Sequence, residues 1–527
     1  MNQEKKVAKS AILIIMIFTL GSKFLGFIRE TLIAAKFGAG METDAFFVAL
    51  TATGLITGLI STAIKTTFVP ILSEIKAKEG KIGKINHTNN MINIIFFVSL
   101  ILVLLGLLVS PFLVKLLAKG FYGEQYDLAV KLTRIGMPKL LFSGLIGALT
   151  GFLHSEQKYL SSAAIGFPFN LVYIFYLLFL STPFGIEGLM VAAVIAVISQ
   201  LLIQIPEAKK AAGYRYEFIL DLKDDYIKKV LHMSLPVFVS VAVNDLNAIV
   251  DKALASSLVS GSISALNYAN KLNTLILGVF ISAITTVIFP ILSRESSSNN
   301  IPSMKRIMSY GVNLILLITI PATVGLVILA IPIVQVFFQR GEFDEIATSM
   351  TAKALVFYSL GLVGMSLRTL LDRVYYSLHD TKTPMKNGAI SVLFNLILNF
   401  ILVRYMAHAG LALATSIAIT IATVLMFYRL KKKLGSIGMI SYLKCGLKAG
   451  FASIIMGVVV NLVYQELYKI LGISKLYNLV SLLVAIGVGV IVYIVLCYVF
   501  GIQEIKHIVK ELRGWIMLFF REKKEIK

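Results

Sequence analysis

A chain of 527 residues that is 57% hydrophobic and only 15% charged, with a mean hydropathy of +0.84, is not a soluble protein but a polytopic membrane protein. Its formal charge of +22 sits in short loops between apolar runs, as the positive-inside rule requires, and this placement argues against a nucleic-acid-binding surface. Cys445 and Cys497 fall in apolar runs and the six histidines lack metal-ligand spacing, so neither a disulfide framework nor a zinc site is expected.

A bilayer core takes roughly 20 apolar residues per helix. On that ruler the chain predicts fourteen spans, near 10–36, 44–75, 88–118, 128–154, 159–182, 186–206, 228–258, 261–293, 306–338, 345–377, 384–405, 408–430, 441–466 and 476–502. Lysine and arginine fill alternate loops, including Lys76–Lys84, Lys209–Lys229, Arg294–Arg306 and Arg429–Lys433. The loops between them, such as FGAGMETD and STPFGIEG, are nearly bare of base. Both termini are therefore expected in the cytoplasm. The basic connection 207–227 separates an N-lobe (1–206) from a C-lobe (228–433). Two more spans (434–503) and a basic amphipathic tail (504–527), suited to an anionic inner leaflet, follow.

Several charges lie within these spans. Ionisable groups at membrane depth cost from about 2.5 kcal/mol upward and normally face a bundle interior or a wet cavity. Lys23, Arg29 and Glu30 lie on the first span, Asp44 opens the second, and Lys65 sits within it. Asp245, Asp251 and Lys252 lie on the seventh, Lys271 on the eighth, and Arg368, Asp372 and Arg373 on the tenth. Two readings stand side by side. Arg29 pairs with Glu30 or Asp44 while Lys23 snorkels to an interface, or the bases converge on a cavity built for an anion, most naturally a phosphate or pyrophosphate.

An internal repeat supports the second reading. Asp44–Glu74 lies over Ser264–Arg294 without a gap, and PILS at 70–73 and 290–293 falls in register. A weaker echo pairs Leu153-His154 with Leu378-His379. Six spans separate the copies, so both halves insert in the same direction. The predicted fold is an all-α polytopic membrane protein of 14 transmembrane helices. Two six-helix lobes are related by a pseudo-two-fold along the membrane normal, and two C-terminal helices are added.

The runs LGFIRETLIAAKFGAGMETDAFFVA, FVPILSE and YYSLHDTKTPMKN resemble the signature stretches of the MurJ (MviN) lipid II flippases, within the MOP exporter superfamily. The resemblance implies a carrier in the bacterial plasma membrane that moves undecaprenyl-pyrophosphate-linked disaccharide-pentapeptide from the inner to the outer leaflet for peptidoglycan assembly, alongside cell-wall synthesis enzymes. It implies substrate-binding roles for Lys23, Arg29, Asp44 and Lys271, to which position in the spans adds Lys65 and Arg368. It also implies a sodium coupling site on Asp251, Asn395, Asn399, Thr415 and the backbone of Leu411. The chain departs from the family pattern at Lys23, where the family has arginine, and around Ile56–Gly58, where a basic residue has no counterpart. It departs again at Asn270-Lys271, in place of an Asp-Arg pair, and at Asn399, in place of an acid.

These departures keep a rival cargo open, another polyprenyl-linked polysaccharide precursor. A MATE-like cation-coupled exporter would instead want an acidic, aromatic cavity, and a non-transporting scaffold would tolerate loss of the cavity charges. No nucleophile–base arrangement is present in the spans, and an enzyme is not expected.

Overall fold

The computed structural model describes residues 2–472, 474–507 and Lys510; the side chains of 2–16, 63, 65, 66, 211, 212 and 235–244 lie outside what is described. Among the described residues the chain is helical and contains no strand. In a bilayer every backbone N–H and C=O must be satisfied within the protein, and an apolar chain achieves that by helix formation.

The helices α1 (Asn2–Phe37), α2 (Met41–Leu117), α3 (Gly123–Gly136), α4 (Lys139–Ser155), α5 (Leu160–Ala164), α6 (Gly166–Phe175) and α7 (Ser181–Ala212) build the first half. The second runs through α8 (Asp225–Ala255), α9 (Ser262–Ile276), α10 (Ser282–Ser297), α11 (Ile301–Ile328), α12 (Ala330–Phe337), α13 (Glu345–Leu360), α14 (Leu362–Ser377) and α15 (Lys382–Leu434). Helices α16 (Met439–Leu471) and α17 (Lys475–Val499) complete the described chain. Among the described residues, eight helical stretches are long and apolar enough to cross a membrane, or nine if the bent pair α13–α14 is one span.

Some of these stretches hold more than one crossing. The 77 residues of α2 would reach roughly 115 Å if straight, far beyond a ~30 Å hydrocarbon core. The chain turns at Gly80, whose φ of 73° and ψ of −162° suit a residue without Cβ. The 53 residues of α15 break at Ala407 instead (φ 49°, ψ −133°), a conformation that costs an L-residue about 1–3 kcal/mol and persists only where packing fixes it.

The chain divides into two compact units: Met1–Lys271 with Phe338–Ala347 and Met406–His408, and Leu272–Phe337 with Thr348–Tyr405 and Ala409–Lys527. In the first, Ile64, Phe68 and Leu72 of α2 pack with Phe152 and Leu153 of α4 and Val230 of α8. In the second, Ile288 and Leu292 of α10 pack with Met308 and Ile315 of α11 and Leu370 of α14, and Ile284 packs against them. Ile64, Phe68 and Leu72 occupy the same repeat positions as Ile284, Ile288 and Leu292, so the repeat buries the same stripe twice.

The weaker echo is out of register with the conformation. Gln157 and His379 are the left-handed residues that end α4 and α14. Lys158 N–H reaches Leu153 C=O (2.9 Å) as Asp380 N–H reaches Tyr375 C=O (3.0 Å). By backbone geometry Gln157 is therefore the counterpart of His379, whereas the shared Leu-His pair would give that place to His154.

After α7 the connection runs extended along α2. Asn89, Asn90 and Asn93 donate to the carbonyls of Arg215, Asp221 and Ile219 at 2.8–2.9 Å. Of the C-terminal tail 504–527, positions 508, 509 and 511–527 lie outside the described residues.

Candidate functional site

Arg29 of α1 is held from α6. Arg29 Nη1 donates to Asn170 Oδ1 (3.1 Å), and its guanidinium lies over the Phe169 and Tyr173 rings at 5.4 and 5.0 Å. Asn170 is buried and spends its own N–H groups on the Ser22 and Gly166 carbonyls (3.1 and 2.8 Å). Spacing gives no hint of this anchor. Its one signal is a lone amide in the apolar run GFPFNLVY.

Glu30, 4% exposed, joins two cations. Its Oε1 accepts from Arg29 Nη2 at 2.7 Å and faces Lys271 Nζ at 3.5 Å. Arg29 thus pairs as the first of the two sequence readings has it. The same carboxylate also brings Lys271 close to Arg29. Two cations share one anion, leaving one net positive charge in a setting where charge is poorly screened. The two bases are unequal: the Arg29 side chain is 15% exposed and hemmed by rings, whereas that of Lys271 is 42% exposed. Of the two bases, Lys271 is the more accessible.

Asp44 is engaged at the start of α9. It is 2% exposed, and its carboxylate accepts from Gly261 N–H (2.7 Å), Ser264 N–H (2.7 Å) and Ser264 Oγ–H (2.6 Å). These are free amides at the start of α9, and a carboxylate there satisfies them and the helix dipole together. Lys271 follows Ser264 two turns on and stands on the same face. Tyr268 between them donates to Gly38 C=O (3.2 Å) and packs against Phe47, Phe338 and Phe343. Capping and aromatic packing together place Lys271 at Glu30.

The connections around this helix are knitted to one another. Glu342 N–H donates to Ala35 C=O (3.0 Å), and Gly120 N–H donates to Ser256 Oγ (3.1 Å). Gly261, at φ 89°, lies against the Ala39 carbonyl, so close that a Cβ would collide with it.

Lys23 is exposed on α1. Lys65 lies on α2, and its side chain is outside the described residues. Arg368, on α14 of the second unit, lies over Gly388, where a Cβ would meet its Nη2 at 3.3 Å. Arg373 sits over the Phe289 ring at 5.3 Å.

Four of the five sodium-site candidates form one chain in the second unit. Asn399 Nδ2 donates to Asn395 Oδ1 (2.8 Å), Asn395 Nδ2 to Thr415 Oγ1 (3.1 Å), and Thr415 Oγ1 to Leu411 C=O (3.1 Å). Asp251 belongs to the first unit and accepts from Asn247 Nδ2 at 3.5 Å. No group of three or more His, Cys, Asp or Glu suited to a metal occurs among the described residues. The donor set at 395–415 is neutral oxygen, which fits a hard monovalent cation and not a soft or highly charged one.

Comparison with known proteins bears on the same features. The family model for lipid II flippase MurJ matches residues 33–481. Lipid II flippase MurJ of Burkholderia cenocepacia is 30% identical over 434 residues, which cover 80% of this chain and 84% of that protein. A solved structure of lipid II flippase MurJ in an inward closed conformation is similar with a TM-score of 0.77 and 27% identity, covering 93% of this chain and 98% of that one. An inward-facing multidrug resistance MATE family transporter of the MOP superfamily shares the fold, with a TM-score of 0.67 at 15% identity over 80% of this chain and 99% of the other. With its all-helical, multi-span architecture, the chain belongs to the MurJ family of lipid II flippases.

Proposed function

We propose that this chain is a lipid II flippase of the bacterial plasma membrane, with both termini cytoplasmic. It carries the diphosphate head of the lipid from the inner to the outer leaflet by alternating access. The observation that carries the reading is the Arg29–Glu30–Lys271 cluster: a buried arginine fixed by Asn170 and two rings, and a half-exposed lysine borrowed by the same carboxylate. Family membership supports the cargo, and the basic loops support the orientation. Fourteen spans follow if the stretches broken at Gly80, Gly185 and Ala407 are each divided there, the pair α13–α14 is one span, and α1 and α8 are counted.

The cluster works by exchange. At 3.5 Å the Lys271–Glu30 contact is longer than a charge-assisted hydrogen bond, whose usual range is about 2.7–2.9 Å, so Lys271 is held loosely. A diphosphate oxygen takes the Lys271 ammonium, and Glu30 keeps Arg29 neutralised throughout. Arg29 itself stays in its aromatic seat, supplying field and not contact. Lys23, lower on α1, meets the head group on its way in. Outward movement of an anion is favoured by an inside-negative potential, worth about 2.3 kcal/mol per charge per 100 mV.

A sodium ion would be held by the side-chain oxygens of Asn395, Asn399 and Thr415 with the Leu411 carbonyl, and would supply a coupling charge that resets the carrier. These residues would have to turn their oxygens from each other toward the ion.

The test is leaflet-resolved transport of defined lipid-linked substrates in vesicles reconstituted with the purified protein. Lipid II crossing at a rate above protein-free vesicles supports the reading. Crossing of another polyprenyl-linked precursor in its place gives the cargo to that lipid.

A further inference from the structure

A cavity of about 510 Å³ opens on the first unit between Phe18 of α1, the α4–α5 connection and the end of α7. Lys158, Ser161, Glu207 and Lys210 supply its polar lining, and Phe18 and Pro206 belong to its apolar lining. Lys76 Nζ reaches Glu156 Oε1 at 3.1 Å, so this connection lies on the flank that carries the basic loops. The transport cluster does not use it: Phe18 precedes Arg29 by about three helical turns, roughly 16 Å of rise.

Ser161 is the telling residue. It is 7% exposed, and its hydroxyl has no hydrogen-bond partner among the described residues, whereas its backbone N–H donates to Glu207 Oε2 at 2.7 Å. A buried hydroxyl left unpaired costs about 1–3 kcal/mol, and such a group lining a cavity marks a place for an acceptor. Two lysines against one carboxylate leave the polar lining with a net positive charge. A lining of charged and polar groups together with apolar side chains suits an amphiphile. Basic pockets between helices on the cytoplasmic side suit anionic head groups.

We propose that this cavity binds a resident anionic phospholipid of the phosphatidylglycerol class. The phosphate lies against Lys158, Lys210 and the Ser161 hydroxyl. A head-group hydroxyl donates to Glu207, and the upper acyl chains run along Phe18 and Pro206. Glu207 explains the choice of a hydroxyl-bearing head: a carboxylate repels a bare phosphate monoester but accepts from a glycerol hydroxyl.

The test uses full-length protein in neutral detergent, its melting temperature followed during titration with phosphatidylglycerol, phosphatidylcholine or inorganic phosphate. Phosphatidylglycerol should raise the melting temperature saturably and the other two should not. Ser161→Ala and the double variant Lys158→Ala/Lys210→Ala should each raise the half-saturating concentration about tenfold. Lys158 and Lys210 are exposed, so the double variant keeps the lipid-free melting temperature. Equal response to phosphatidylcholine, or a double variant that responds like the native protein, overturns the proposal. Stabilisation by phosphate alone reduces the cavity to a small-anion site, and displacement of phosphatidylglycerol by undecaprenyl diphosphate gives it to the cargo; each overturns the proposal as well. The readout is binding, so it can fail while the transport reading stands.

Discussion

Asp44 is hydrogen-bonded to Ser264, the residue that occupies its own position in the second copy of the internal repeat. The first copy supplies a carboxylate and the second supplies the amide and hydroxyl that it caps. Two copies of one segment have thus diverged into donor and acceptor where they meet. The bond also sets the start of α9, on which Lys271 stands.

Removing that cap should cost stability before it costs specificity. Asp44→Ala strands three buried donors and is expected to destabilise the protein by about 2–4 kcal/mol. Ser264→Ala leaves the two amide bonds and is expected to cost about 1 kcal/mol. Melting temperatures in one detergent check the order, and equal values for Asp44→Ala and the native protein would remove the clamp from this account.

Lys271 and Glu30 should separate transport from folding. Lys271→Ala leaves the Arg29–Glu30 pair (2.7 Å) intact, so the melting temperature should hold while lipid II movement falls at least about tenfold. Lys271→Arg should retain transport. Glu30→Gln strands a buried arginine and should cost about 3–5 kcal/mol in stability and all transport. Native transport rates in Lys271→Ala would refute the exchange mechanism.

Acid should loosen the α14–α15 corner. Burial alone would raise the Asp380 carboxyl, but the Lys433 ammonium (2.9 Å) and the Thr383 N–H and hydroxyl (3.0 and 2.9 Å) outweigh it and hold it below its ordinary value of 3.8. The depressed folded value means that the unfolded chain takes up the proton first. The stabilisation is complete at neutral pH and is lost as pH falls through 3.8 toward the folded value. Asp380→Asn should flatten that part of the stability–pH profile and cost about 1 kcal/mol at pH 7. An unchanged acid limb would show that the corner contributes nothing to it.

Sodium dependence should rest on the amide chain of the second unit. Replacing sodium by choline is expected to slow lipid II transport, and Asn395→Ala should remove the difference between the two ions. Asn399→Asp restores a negative ligand and should lower the sodium concentration for half-maximal rate about tenfold. Transport indifferent to sodium in the native protein would dismiss the site.

Much of this protein is written in local chemistry. Apolar runs of bilayer length dictate helices wherever they occur, because no water is available to the backbone, and the basic loops bias orientation. The recurrence of PILS in register announces a repeat whose apolar stripes, Ile64–Leu72 and Ile284–Leu292, each pack into a hydrophobic core. The presence of lysine and arginine at membrane depth was equally legible. Their partners were not. Arg29 and Glu30 are neighbours, but Asn170 seating Arg29, Lys271 meeting Glu30 and Asp44 capping α9 are contacts between residues remote in the chain. Helical periodicity says which face a residue occupies and nothing about which distant helix meets that face. Only the packed chain, where a buried charge must find a counter-charge within a few ångströms, decides which lysine meets Glu30.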